Sequence, residues 1–221
     1  DVDNLLGSGP FKVTEWVPND HYTLVRNDNY WGEMPIATSI TCRVIPEGSA
    51  RTIALEAGEI DVVWSVDPTD CANVESNPDV KLLSQPSTGI DYVGMNTQKE
   101  KFSDKRVRQA INYALDKQAF VDTIIEGRGL VANSYINAAI PGWTDEVEAY
   151  PYDPAKAKEL LAEAGYPNGF ECKIYVNGDV RTRSAQIIQA QLAEVGITVD
   201  ISTYEWGALL DSLNAGEHEM F

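Results

Sequence analysis

Two short runs open the chain. Phe11-Lys12-Val13-Thr14-Glu15-Trp16-Val17 and His21-Tyr22-Thr23-Leu24-Val25-Arg26 are rich in β-branched and aromatic residues and flank Pro18-Asn19-Asp20. That pattern predicts a β-hairpin. Ser39 to Ile45 reads as a third strand, closed by Pro46. Ile53, Leu55 and Ala57 belong to a short helix ended by Gly58. Ile60-Asp61-Val62-Val63-Trp64 is an apolar run bounded by turn signals, which predicts a buried strand. Asp67-Pro68 opens another helix, with Asp as cap and Pro in the first turn. Val80–Leu83 and Ile90–Met95 are two further expected strands.

Beyond Phe102 the period changes from two to 3.6. Val107, Ala110, Ile111, Ala114, Leu115 and Val121 form one apolar stripe, predicting a single helix from Ser103-Asp104 to Gly127. Residues 128–152 read as irregular. Asp153-Pro154 begins a second helix, striped by Ala157, Leu160, Leu161 and Ala164 and stopped at Gly165. Cys172–Val176 alternates as a strand. Ala185, Ile188, Leu192 and Val195 mark a third helix, and Ile197–Ile201 is another strand. A last helix spans Glu205 to Ala215. Strands alternating with helices make the fold class α/β. The texture shifts near residues 86–96, with Pro86-Ser87-Thr88-Gly89 as a turn, so a boundary is expected near residue 90.

Composition narrows the function classes. The 221 residues hold 17 Lys and Arg against 34 Asp and Glu, a net charge of −17. That balance argues against a nucleic-acid partner, whose phosphates are met by clustered cations. At 43% hydrophobic, with five Trp, ten Tyr and five Phe, the chain carries a real core. The chain starts at Asp1 and ends on Met220-Phe221, where a strand should continue; a piece of a longer protein is expected.

Candidate chemistry is sparse. Cys42, Cys71 and Cys172 are scattered, and His21 and His218 lie at opposite ends, so no metal-ligand spacing exists and no metal is expected. Gly7-Ser8-Gly9-Pro10 is not a dinucleotide fingerprint, because Lys12 stands where the third glycine belongs. No P-loop and no nucleophile elbow occurs. No catalytic residue is assigned and no cofactor is expected. Three groupings remain. Arg181 and Arg183, in a loop spanning Asn177 to Arg183, either meet an anionic ligand or pair with surface acids. Trp206, in Tyr204-Glu205-Trp206-Gly207, either walls a pocket or packs its helix. Asn96, in Gly94-Met95-Asn96-Thr97, either lines a cleft or ends a strand.

An ordered set of motifs runs nearly end to end. It comprises Gly7-Ser8-Gly9-Pro10-Phe11, Asn29-Tyr30-Trp31-Gly32, Arg51 to Asp61, Gly94-Met95-Asn96-Thr97, Phe102 to Ala110, Tyr152-Asp153-Pro154, Ala164-Gly165-Tyr166-Pro167, Gly196 to Val199, Tyr204-Glu205-Trp206-Gly207 and Ala215-Gly216-Glu217-His218. With these motifs the chain resembles the extracytoplasmic solute-binding proteins of peptide-type ABC importers, family 5. The resemblance implies a periplasmic-binding-protein-like α/β fold, with residues 1–90 part of a first lobe and 91–221 most of a second. It implies a monomer, possessing no enzymatic activity, that encloses a small peptide between lobes by hinge closure and delivers it to membrane permease subunits. A periplasmic or lipid-anchored extracytoplasmic location follows. Nickel chelates, oligosaccharides, glutathione and opines are alternative cargoes within the same family. Arg181 or Arg183 is implied as partner of the ligand carboxylate, with Trp206 as a pocket wall; Asn96 is kept beside them as a candidate lining residue. The aspartate holding a peptide amine is implied to lie beyond Phe221.

Overall fold

The computed structural model describes residue 5, residues 7–85 and residues 87–221, and these divide into two compact units, Asp1–Leu82 and Leu83–Phe221. The expected boundary near residue 90 compares with this division after Leu82. Pro86 of the expected turn lies outside the described residues.

In the first unit, Phe11–Val17 (β1), His21–Arg26 (β2) and Ser39–Arg43 (β3) form an antiparallel meander in the order β1-β2-β3. The expected hairpin is present, and Asn19 takes the positive φ (63°) that its turn requires. A bulge between Val13 and Glu15 shifts the β1–β2 register by one residue. Trp16, Tyr22 and Cys42 then stand opposite one another across the three strands. The Gly7-Ser8-Gly9-Pro10 turn is held by buried Asn27, whose main-chain N–H donates to Pro10 O (2.8 Å) and whose Nδ2 donates to Gly9 O (3.2 Å).

His21 sits between two carboxylates on β1 and the turn. Its Nδ1 is 2.8 Å from Asp20 and its Nε2 is 3.2 Å from Glu15. The hydrogen bond to Asp20, then that to Glu15, raises its pKa above the ordinary value. A raised folded-state pKa stabilises the protonated side. His21 therefore contributes hairpin stability fully below its unfolded value, and that contribution is lost as pH rises through the higher folded value. Urea midpoints followed between about pH 5 and 8 should fall with rising pH. The His21→Ala variant should lose that part of the slope.

Gly48–Glu56 (α1) ends through Gly58 at φ +71°. Arg51 from α1 gathers the adjoining loops by donating to the carbonyls of Ile45, Pro46 and Ser65. A single 3₁₀ turn, Pro68–Asp70, is capped by Asp67 and leads into Cys71–Ser76 (α2). The strand expected at Ile60–Trp64 does not form. Val62 and Trp64 are 78% and 88% exposed, and no strand pairs with this run among the described residues. An apolar run becomes a strand only where a neighbour accepts its N–H groups. Val80–Leu83 is likewise unpaired, and of Ile90–Met95 only Met95 enters a bridge.

The second unit holds the main core. Glu100–Ser103 (α3) comes first, and Lys105–Ala114 (α4) and Lys117–Ile124 (α5) replace the single helix expected from Ser103-Asp104 to Gly127. Asp104 opens it as expected, and Asp116 divides it. Asp104 accepts from Arg106 N–H (2.8 Å) and Asp116 from Ala119 N–H (3.1 Å), each starting a new helix. The stripe residues are buried on both sides of the break, so periodicity alone hides it. Pro154–Glu163 (α6) is capped by Asp153 and ends before Gly165 at φ +92°. Glu171–Val176 (β4) and Thr198–Thr203 (β5) pair in parallel, joined by Asp179–Glu194 (α7). Trp206–Asn214 (α8) follows. Phe102, Val107 and Ile111 meet Leu161 of α6, Ile188 and Leu192 of α7, and Ile174 of β4 in one buried cluster. Each such side chain contributes about 1.5–3 kcal/mol through its burial.

The last residues join this sheet. Tyr175 N–H donates to Met220 O (2.9 Å) and Met220 N–H donates to Lys173 O (3.0 Å), while Gly94 and Phe221 exchange both main-chain bonds. The strand-like order is thus β5, β4, Met220, Met95.

Candidate functional site

The carboxyl edge of the β4–β5 pair concentrates the features that can hold a ligand. Parallel pairing sets Val176 beside Thr203, so the residues after them, Asn177 and Tyr204, leave the sheet together. Asn177 Nδ2 donates to Tyr204 O (2.9 Å), and Tyr204 N–H donates to Val176 O (2.9 Å). The rings of Tyr175 and Tyr204 lie 4.8 Å apart. Hydrogen bonding to Tyr204, then burial, raises the Tyr175 phenol, which keeps it protonated as a donor. Gly178 at φ +74° turns the chain from β4 into α7. Glu205, in an extended conformation, leads from β5 into α8. Two helices therefore begin at one edge of a parallel sheet. Their unsatisfied N–H groups and positive dipole ends favour an anion there.

The loop expected from Asn177 to Arg183 is only Asn177 and Gly178, because α7 already begins at Asp179. This matters for the two arginines. At positions i and i+2 on a helix they point some 200° apart and do not face one point. Arg181 lies on the side of Ala185, Ile188 and Leu192, the stripe that packs inward, but it stands beyond the sheet and is exposed. Its guanidinium has no hydrogen bond or ion pair among the described residues. Arg183 is half-buried on another face of α7. Trp206 is the first residue of α8 and is 54% exposed at the same edge.

Asn96 is elsewhere and is already occupied. It sits at the amino end of the sheet, where its N–H bonds Glu219 O (2.8 Å). Its Nδ2 donates to Gly216 O (3.2 Å) and His218 O (3.1 Å), and its Oδ1 accepts from Gln98 N–H (3.0 Å). The amide of Asn96 thus secures the final segment of the chain. Lys101 completes the clasp by donating to Glu219 Oε1 (2.9 Å), while Glu219 Oε2 accepts from Lys173 N–H (2.8 Å). Asn96→Ala should cost about 1–3 kcal/mol, the range for leaving partly buried carbonyls unpaired. A lowered urea midpoint is the expected readout.

Among the described residues no His, Cys, Asp and Glu group of three or more is placed to hold a metal ion. Burial pushes the Cys172 thiol up to about 12, so it remains a protonated core residue. No helix among the described residues is long and apolar enough to cross a membrane.

In open α/β sheets, ligands bind outside the carboxyl ends of the strands, and here polar and aromatic side chains gather at that end. The comparisons agree. Residues 1–221 match the family described as bacterial extracellular solute-binding proteins, family 5, middle region, and the chain belongs to that family. It is 35% identical to heme-binding protein A of Haemophilus influenzae over 96% of this chain and 40% of that protein. It is 34% identical to the dipeptide-binding protein of Escherichia coli K12 over 98% of this chain and 42% of that protein. Among solved structures, it is similar to the periplasmic binding protein DppA of Helicobacter pylori in complex with the peptide STSA. The TM-score is 0.88 at 35% identity, covering 97% of this chain and 42% of that one. The chain thus spans about two fifths of the length of these relatives.

Proposed function

We propose that this chain is part of the solute-binding component of an ABC import system, taking up peptides outside the cytoplasm for delivery to membrane permease subunits. In this reading the protein acts as a monomer, periplasmic or lipid-anchored, and performs no chemistry on its cargo. Its carboxyl-edge site takes the peptide's C-terminal carboxylate, with Arg181 as the charged partner and Trp206 as a wall beside the peptide chain. The observation that carries the reading is the convergence of two helix starts, Arg181 and Trp206 on one edge of β4–β5. A guanidinium fork matches a carboxylate in two parallel hydrogen bonds. The peptide-bound relative of the same fold supports the ligand class.

A second reading keeps the site and changes the cargo, and the similarity to a heme-binding relative favours it specifically. A carboxylate-bearing cargo other than a peptide would use the same arginine. Native mass spectrometry of the protein purified from its own host decides between them. Adducts that fragment into amino-acid series are the expected result. An adduct with the mass of heme, a metal chelate, an opine or a sugar would replace the peptide assignment.

A further inference from the structure

A recess lies along α4. It is a groove of about 270 Å³ lined by Met95, Lys105, Arg108, Gln109, Asn112 and Tyr150. It shares no residue with the β4–β5 edge. Lys105, Arg108, Gln109 and Asn112 stand at i, i+3, i+4 and i+7, which is one face of the helix. The chain as a whole carries two acids for every base. This lining carries two bases and no acid.

The walls of the groove are built rather than loose. Arg108 Nη1 donates to the carbonyls of Phe102 (2.7 Å) and Ser103 (2.9 Å) at the end of α3. That fixes the plane of the guanidinium and leaves its other N–H groups without a hydrogen bond among the described residues. Tyr150 is held from three directions. Its carbonyl accepts from Lys117 Nζ (3.0 Å), its ring packs edge-on against Tyr113 (5.2 Å), and its hydroxyl accepts from Gln109 Nε2 (3.4 Å). Asn112 Nδ2 donates to Arg108 O (3.1 Å). Lys105 is exposed and has no partner among the described residues. A tethered guanidinium, which also lies in the field of the Asp104 carboxylate, and an exposed ammonium one turn away are the cationic donors that an oxyanion needs.

We propose that the α4 groove is a binding site for a small oxyanion, a carboxylate or a phosphate, separate from the carboxyl-edge site. The geometry loses no rotamer freedom at Arg108 on binding, since that side chain is already tethered. Affinity is modest, because the groove is open to water that screens both charges.

Titrating inorganic phosphate, and separately succinate, into the protein while following backbone amide NMR signals tests the site. Saturable shifts centred on α4 are expected, with a dissociation constant of about 1 mM for at least one anion. The responding anion names the group. Lys105→Glu should weaken binding at least about tenfold by reversing one charge, and its exposed, unpartnered side chain leaves the fold intact. Arg108→Lys, which keeps the charge but loses the planar fork, should weaken it about fivefold. No saturable shift with either anion, equal shifts with sodium chloride at matched ionic strength, or unchanged affinity in Lys105→Glu would each overturn the proposal.

Discussion

Gly169→Ala is expected to destabilise the second unit by about 3–5 kcal/mol, the upper range for single substitutions. Gly169 joins the turn after α6 to β4 and takes φ +75°. A Cβ placed there would run into the main-chain carbonyl of Gly196, the residue that ends α7 and leads to β5. Gly196 is at φ +90° with its own Cβ position 3.0 Å from Asn168 O. Two backbone turns therefore cross with no room for a side chain on either. Unlike the end of a flexible side chain, a carbonyl cannot swing aside without moving its peptide. The next bond along, Thr198 N–H to Phe170 O (2.9 Å), begins the β4–β5 ladder, so the displacement would spread into the sheet. Gly165→Ala is the control. It has φ +92° but open space around it, and should cost only the left-handed backbone penalty of about 1–2 kcal/mol. Urea denaturation of both variants gives the comparison, and equal midpoints would show that the crossing is not tight.

Arg181→Ala is the second large effect. Removing one member of a hydrogen-bonded ion pair within a binding site costs about 2–5 kcal/mol, or roughly 30-fold and more in affinity. Arg183→Ala should change peptide affinity by less than about threefold, because Arg183 is turned away from the carboxyl-edge site. The contrast rests on helix geometry. Arg181 shares the inward side of α7 at its first turn, and Arg183 is rotated about 200° from it. Calorimetric titration of the two single variants separates them. A greater loss in Arg183→Ala would reverse the assignment.

Much of this was legible in the chain. The β1–β2 hairpin, the caps at Asp67, Asp104 and Asp153 and the stops at Gly58 and Gly165 are local, and local rules found them. Asp116 carried a cap signal too, but the unbroken apolar stripe concealed it. The strand expected at Ile60–Trp64 failed for a different reason, since a strand depends on a partner that composition does not reveal. Asn96 was read by its neighbours in sequence, whereas its partners lie at Gly216 and His218, far along the chain. Arg181 and Arg183 looked equivalent until the start of α7 was placed at Asp179. The brace from Asn177 to Tyr204 had one sequence signal, an Asn-Gly pair at a strand end, and its meaning required the parallel register.

The central claim is that the carboxyl edge of β4–β5 binds a peptide through its terminal carboxylate. The most direct measurement is calorimetric titration of the protein with one peptide in two forms, the free acid and the C-terminal amide. The amide should bind at least about 30-fold more weakly in the wild type, the loss expected for one charge-assisted contact. In Arg181→Ala the two forms should bind alike. Equal affinity for acid and amide in the wild-type protein would contradict the account.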